Sequence, residues 1–539
     1  MSRLRSLSIA LGAVVVSAVL GGAVGRSALA TNDPLAERYK IFTAAVAEIE
    51  NNYAGEIESD RLVYSAISGM LQKLDPHSSF LTPKYYAQLR ERQEGRYHGL
   101  GISILPVDGD ITVTSIFEGT PAYKSGLRRG DIIAEIEGAD TKGWSSEDAV
   151  KVLRGEKGSE VKLGIQRRGY DQLIRMTVER DEIHIPTIRG SFMVDRATGY
   201  VRIGDFSETT DRDLGTAIDE LKTEGMQQLI VDLRDNPGGP LDQAIKVADR
   251  FLPSGQLVVY TRGRTRNSDS DYTAMDAEDL DGMPVVVVVN RNSASASEIV
   301  AGALQDHDRA LVVGETTFGK ALVQSIFRVS EGAGLALTTA QYYTPSGRVI
   351  QRPWDESFDE YLTHNLRDDV RRRSHDAGQL RYTDAGRKVY EGGGIEPDHF
   401  LAGPMDGFNP TRFGRMLRAR QVFVDYSEKF SSEDDTRVDA VARGRKTLGR
   451  DFVVDDAMVE DFHTFLEGQK IKIDEDAFAK DLDFIKAMIH FEIDVDLFGI
   501  DQAQRNLIAT DPQAQLALSS FSEAERLTRL TKRTTRAGK

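Results

Sequence analysis

Three hydroxyls at two-residue spacing, Ser293, Ser295 and Ser297, run into Glu298; further on, a lone Lys320 is followed four residues later by Gln324. A hydroxyl is a poor nucleophile until something takes its proton, and a lysine of ordinary pKa is already protonated at neutral pH. Lys320 is flanked by Phe318, Ala321 and Leu322. Burial among such neighbours favours the neutral amine, which is a usable base. Two other readings draw on the same residues. Ser295 with Glu298 spells S-x-x-E, a capping box in which the hydroxyl satisfies a helix N–H. Gly314, Gly319 and Lys320 spell G-x-x-x-x-G-K after a strand, with Asp232 available to hold magnesium. Against that phosphate loop stands Ala321, where a Ser or Thr hydroxyl is needed on the metal.

The flanking pattern predicts how these residues are carried. Residues 285–289 are β-branched throughout and bounded by Pro284 and Asn290, a buried strand. Glu298, Ile299, Val300, Ala303 and Leu304 follow at helical spacing, and 310–313 form a second apolar strand before the loop that delivers Lys320. Hydroxyls then stand at a helix N-terminus, where the Ala296 amide is placed to donate to an oxyanion. Upstream, the strand 229–233 enters Arg234-Asp235-Asn236-Pro237-Gly238-Gly239-Pro240, before a helix over 241–251. Two glycines after a proline let the backbone turn sharply and present N–H groups outward.

At 539 residues the chain calls for two to four domains, and 40% hydrophobic with 28% charged residues is ordinary for globular protein. A net charge of −16 argues against nucleic acid as a partner. The absence of cysteine removes disulfides, thiolate catalysis and cysteine-ligated zinc. Nine scattered histidines without H-E-x-x-H spacing give no support for a metal, and no cofactor is expected.

Residues 1–30 combine Arg3 and Arg5, an apolar run over 7–24 and Ala28-Leu29-Ala30, the pattern of an export signal cleaved after Ala30. An uncleaved membrane anchor stays open, because the run approaches the roughly 20 residues that span a bilayer. Either way an exported, periplasmic or envelope protein is expected. Tyr39, Phe42, Val46 and Ile49 share a helical face, and a later helix ends at Leu74-Asp75-Pro76-His77-Ser78. His77 with Asp75 reads as a turn rather than a charge relay, since Asp-Pro initiates turns and the Asp side chain bonds its own backbone. Strands and helices alternate from Tyr200 onward, the pattern of an α/β domain. A strand over 335–343 is followed by a polar stretch, 352–393, including Arg371 to Arg373, that reads as a solvated surface excursion with one helix. Helical spacing returns at Phe413, Met416, Leu417 and Phe423 and at Phe484, Ile485, Met488 and Ile489, while 527–539 turns basic and frayed.

Taken together, S-A-S-A-S-E at Ser293 to Glu298, G-E-x-x-F-G-K at Gly314 to Lys320 and Gln324 beyond it resemble the core of the carboxyl-terminal processing, or tail-specific, proteases. L-D-P-H-S at 74–78, L-R-x-N-P-G-G at 233–239, Y-T-P-S-G-R at 343–348 and G-I-x-P-D at 394–398 match the same family, in order. The resemblance implies Ser295, the middle serine, as nucleophile, Lys320 as base, Gln324 as the residue orienting that lysine, and an oxyanion hole from Ala296 with Gly238 or Gly239. Gly99-Leu100-Gly101-Ile102, with Ser125 to Ile133 after it, resembles a PDZ domain. Such domains add an extended peptide to a sheet edge and capture its terminal carboxylate on the loop amides, here those of Gly99, Leu100, Gly101 and Ile102.

The implied fold is α/β: a crotonase-like protease core over 184–400, with 352–393 as an inserted excursion, carrying a β-rich PDZ domain at 91–183. A helical segment at 31–90 precedes it and a helical region at 401–539 follows. The implied activity is a serine endopeptidase that recognises protein or peptide substrates by exposed apolar C-termini and cleaves them with a Ser/Lys dyad. An adaptor, an oligomer and membrane association through the N-terminus stay open. The rivals are a non-catalytic PDZ scaffold of the envelope and an envelope ATPase, the latter opposed by Ala321 and by export.

Overall fold

The structure, a computed structural model, describes residues 34–167, 169–275, 280, 282–329, 332–354, 358–363, 375–402, 410–432 and 446–537. The expected leader at 1–30, Arg371 to Arg373 and residues 538–539 lie outside them. The chain divides into two compact units, 1–82 and 83–539. In the first, α1 (Pro34–Asn52) and α2 (Ser59–Leu71) realise the helical spacing, and Tyr39, Phe42 and Ile49 are exposed. The Asp-Pro turn forms as read: Asp75 accepts the amides of His77 and Ser78 at 2.8 and 2.7 Å and the Ser78 hydroxyl at 2.6 Å.

In the second unit β1 (Ile102–Val107), β2 (Asp110–Ile116), β3 (Ile132–Ile136), β4 (Glu160–Gln166) and β5 (Ile174–Glu179) pair antiparallel in chain order, with Ala139–Asp140 added to β3. The sheet packs with α3 (Ser146–Leu153) around Leu100, Ile111, Val113, Ile133, Leu153 and Leu163. Buried Asp131 of the S-G-L-R-R-G-D-I-I stretch accepts from Arg167 and from the Arg128 amide, which holds that loop to β4.

The central sheet contains β6 (Ile188–Met193), β7 (Thr198–Ile203), β8 (Gln228–Asp232), β11 (Val285–Val289), β12 (Leu311–Gly314) and β15 (His399–Phe400), in that spatial order. All pairings are parallel except that of β6 with β7. A strand buried on both faces has no polar side, which is why β11 is five valines. Val285, Val287 and Val289 face α4 (Thr210–Thr223), α5 (Leu241–Asp249) and α6 (Ala296–Asp306), whereas Val286 and Val288 face the opposite layer. A second, antiparallel sheet aligns β13 (Leu322–Arg328), β14 (Gly334–Tyr343), β9 (Leu257–Gly263) and β10 (Ser270–Thr273).

The C-terminal region has two roles. Helices α7 (Arg412–Ala419), α8 (Val422–Ser427), α9 (Asp456–Gly468) and α10 (Leu482–Phe498) enclose an aromatic core of their own, with Phe423 stacked on Phe462 at 5.2 Å and edge-on to Phe484 at 6.0 Å. In contrast, α11 (Ile500–Thr510), α12 (Pro512–Ser519) and α13 (Phe521–Ala537) return to the central sheet. Ile508, Ala514, Ala517, Phe521, Ala524 and Leu527 cover Val286, Val288, Leu311 and Val313. The stretch beyond the protease motifs is therefore part of the protease layer structure. It also meets the β1–β5 domain, where Arg129 pairs with Glu492 and lies 3.8 Å from Asp496.

The described part of the excursion after Arg352 is not wholly solvated. Its helix Phe358–Leu362 buries Tyr361 edge-on against Phe318 at 5.4 Å, and Leu380–Tyr382 pairs with Lys388–Tyr390. Arg387 is held between Asp308 and Asp398 at 2.5 and 2.6 Å.

Candidate active site

Open parallel sheets bind ligands beyond the carboxyl ends of their strands. The loops leaving β8, β11 and β12, three adjacent parallel strands, carry Arg234 to Gly239, Asn290 to Ser295 and Glu315 to Lys320 respectively. Strand adjacency thus brings together segments far apart in the sequence.

Ser295 is the N-cap of α6 with φ 55° and ψ −111°, a positive-φ backbone that a non-glycine residue rarely adopts. It is partly exposed, while Ser293 and Ser297 are fully buried. The Ser293 hydroxyl donates to the Leu233 carbonyl at 2.8 Å and the Ser297 hydroxyl to the Asn236 carbonyl at 3.1 Å. Each flanking serine therefore uses its proton to pin the β8 loop against α6. Lys320, also partly exposed, precedes β13, and its ammonium position lies 3.2 Å from Oε1 of Gln324. A register shift in the β13–β14 pairing falls at Val323/Gln324, a local bulge of the kind that re-aims side chains.

Glu298 joins these parts. Fully buried, it accepts the Ser295 and Lys320 amides on Oε2 at 2.8 and 2.9 Å, and the Gly319 amide and Thr317 hydroxyl on Oε1 at 2.7 and 2.5 Å. Burial raises its pKa above the ordinary carboxyl value, against the opposing pull of those four donors. The carboxylate half of the capping box is real, and it reaches well beyond the helix end. The same contacts dispose of the phosphate loop: the amides of Gly319 and Lys320 do cradle an acid, but it is Glu298. Asp232 is likewise occupied, accepting from Arg234 at 2.6 Å and from the Tyr200 hydroxyl at 2.7 Å. No group of side chains suited to a metal ion occurs among the described residues.

Gly238 lies against Ser295 and Ala296. With φ +94° it tolerates no side chain, since a Cβ would stand 2.8 Å from both the Ala296 nitrogen and Ser295 Cβ. Its own N–H donates to Asn236 Oδ1 at 2.9 Å. Of the two glycines expected to line an oxyanion site, Gly238 therefore has its amide engaged, and Gly239 is the exposed one. Buried Asn236, whose Nδ2 donates to the Ile203 carbonyl at 2.7 Å, holds this turn.

In the β1–β5 domain the Gly99–Ile102 loop is anchored by buried Leu100 and by the Leu100 and Gly101 carbonyls, which accept from Ala122 and Phe117 at 3.0 Å each. Gly101 has φ +85°, and a Cβ there would meet Thr120 at 2.3 Å. Burial pushes the Tyr97 phenol above its ordinary pKa, opposed by Arg154 and by the Gly101 and Ile102 amides; the Arg154 guanidinium stacks 4.8 Å over the Tyr97 ring.

Of the residues singled out in the sequence, Ser295, Ala296, Lys320 and the glycine turn lie on loops or at a helix start beyond adjacent strand ends, and Gln324 lies within β13. Sequence reasoning assigned Glu298 only a helix cap and gave Thr317 and Asn236 no role of their own. The signal for Glu298 was a carboxyl group immediately ahead of the apolar run from Ile299 to Leu304.

Residues 197–354 match Peptidase family S41 and residues 88–166 match the PDZ domain. A carboxy-terminal-processing protease of Bartonella bacilliformis is 40% identical over 307 residues, 56% of this chain and 70% of the relative. The carboxy-terminal processing protease CtpA of Bacillus subtilis is 32% identical over 371 residues, 69% of this chain and 76% of the relative. A solved structure of a photosystem II D1 C-terminal processing protease is 29% identical and covers 66% of this chain and 86% of its own, with a TM-score of 0.35. The family matches and these two relatives agree with the resemblance read from the motifs and do not favour a non-catalytic scaffold. The chain belongs to the carboxy-terminal processing proteases of peptidase family S41, and it is a serine-type endopeptidase with a PDZ domain.

Proposed function

We propose that Ser295 is the nucleophile and Lys320 its general base, and that the enzyme is exported and selects its substrates by their C-terminal tails. The observation that carries the dyad is the shared Glu298 oxygen, on which the Ser295 and Lys320 amides converge at 2.8 and 2.9 Å. The partly exposed Ser295 hydroxyl attacks the scissile carbonyl while its proton passes to the Lys320 amine, which later protonates the leaving amine. Water then hydrolyses the acyl-enzyme, giving its proton to Lys320 and regenerating Ser295. Gln324, at 3.2 Å, orients the amine. The Ala296 amide at the start of α6, with the Gly239 amide, stabilises the oxyanion, each such donor being worth roughly 3 kcal/mol.

Tail selection rests on the Gly99–Ile102 loop, whose Gly99, Leu100, Gly101 and Ile102 amides receive the terminal carboxylate of a peptide added to the sheet edge. Export rests on the leader-like composition of residues 1–30. No described helix is long and apolar enough to cross a membrane.

The test uses an unfolded protein ending in an apolar tail, with a free or amidated C-terminus, incubated with the purified chain and with Ser295→Ala. Cleavage of the free form, weaker cleavage of the amide and none by Ser295→Ala is the expected pattern. Equal cleavage of both forms removes the carboxylate role; cleavage by Ser295→Ala removes the dyad.

A further inference from the structure

Tyr342 is the penultimate residue of β14 and only 1% exposed. Its backbone N–H donates to the Ala321 carbonyl at 2.9 Å, which fixes the strand beside the Lys320 loop. Its hydroxyl lies 2.5 Å from the Lys320 carbonyl and 3.2 Å from the Ser295 carbonyl. The two residues are thus tied together twice. Their N–H groups meet on one carboxylate oxygen of Glu298, and their C=O groups meet on one phenol. Ser295 holds a strained backbone, and a strained conformation persists only where its surroundings over-determine it. Burial, and then the nearby Glu298, push ionisation of the phenol far above its ordinary value, so the hydroxyl remains a donor throughout the working range.

We infer that Tyr342 is a positioning residue for catalysis: by donating to the Ser295 and Lys320 carbonyls together, it sets the distance and angle at which the lysine amine meets the serine hydroxyl. This rests on the reading of Ser295 and Lys320 as the dyad. The hydroxyl touches neither reacting atom and acts through the two backbones. A single proton serves two acceptors, with the shorter bond to Lys320 dominant. Loss of the hydroxyl leaves both carbonyls without that donor, and both residues are free to shift by fractions of an ångström. Misplacement on the scale of 1 Å costs about 100-fold in rate.

The experiment compares Tyr342→Phe, and 4-aminophenylalanine at the same position, with the parent chain. It measures kcat and KM on a peptide substrate per active site titrated with a fluorophosphonate, together with the acylation rate and the melting temperature. The expected result is a ~10- to 100-fold fall in kcat for Tyr342→Phe with KM within about twofold, a parallel fall in acylation, and recovery of most of kcat by the amino variant, which restores a donor. A purely structural role lowers the melting temperature and the number of titratable sites but leaves kcat per site unchanged, and that result overturns the inference. So does an amino variant whose kcat is reduced as far as that of Tyr342→Phe. If Tyr342→Phe does not fold, the amino variant decides alone: near-parental kcat per site supports the donor role, and a ~10-fold or larger loss overturns it. Ser295→Ala, run alongside, reports separately on the dyad, since its turnover would remove that reading whatever Tyr342 does.

Discussion

The Ser295 and Lys320 amides donate to the same atom, Oε2 of Glu298, at 2.8 and 2.9 Å. Replacing that acceptor with an amide nitrogen sets N–H against N–H. Glu298→Gln is expected to lower kcat by about 100-fold or more with a smaller effect on KM, in steady-state assays on a peptide substrate. Parental kcat in this variant would mean that the shared oxygen does not set the site.

Among the three serines, only Ser295 is partly exposed, and its replacement by Ala should abolish turnover, by ~10⁴-fold or more, without loss of melting temperature. Ser293→Ala instead strips a buried hydrogen bond to the Leu233 carbonyl. Its cost is about 1 kcal/mol of stability with cleavage retained, read by thermal unfolding beside activity.

His307 caps the C-terminus of α6, and both ring nitrogens face oxygens, Asp384 Oδ2 at 2.8 Å and the Leu257 carbonyl at 2.7 Å. Burial, the largest influence, pulls its pKa down, but the Asp384 and Leu257 contacts with the charges of Asp384 and Asp306 outweigh it and raise it above 6.5. The folded protein therefore holds this proton more tightly than the unfolded chain. Its stabilisation is complete below about pH 6.5 and is lost as pH rises through the raised value. His490, raised beside Asp494, acts with the same sign. Melting temperature against pH, compared between the parent and His307→Gln, isolates the His307 share as a gap that closes at higher pH.

Phe521 of α13 is 6% exposed and sits on the central sheet with Ile508, Ala517 and Leu527. Phe521→Ala should destabilise by ~3–5 kcal/mol, seen as a lower denaturation midpoint of the unit that holds the active site. If only a detached C-terminal transition moves, these helices do not belong to the protease core.

Arg129 joins the PDZ domain to α10 through Glu492, with side chains 19% and 13% exposed. Arg129→Ala leaves Glu492 and Asp496 facing each other without the cation. Allowing for partial exposure, a local loss of about 1–2 kcal/mol is expected. Hydrogen exchange should quicken around residues 128–133 and in α10 while the central strands stay protected; an unchanged pattern argues against the latch.

The parts of the site that could be read in advance were those with local causes. Five successive valines admit only a buried strand, S-A-S-A-S-E with G-E-x-x-F-G-K named the chemistry, and Asp-Pro announced its own turn. The parts that escaped depend on long-range direction. Glu298 was fully accounted for by a cap, so nothing pointed to Thr317 or Lys320 across the loop. The choice between Gly238 and Gly239 turns on where the Asn236 side chain aims. A helical region over 401–539 was expected, but not that residues 508–527 pack on the central sheet, because much of that contact is made by Ala514, Ala517 and Ala524, small residues that permit close approach but leave little hydrophobic pattern.

That layer of helices carries a timing consequence. Ser295 and Lys320 are translated long before residues 508–527, yet β11 and β12 have one bare face until those residues fold back on them. A nascent or prematurely ended chain exposes two valine-rich strands and lacks the support behind its catalytic loops. The layer behind those loops is thus complete only once the chain through residue 527 has been made.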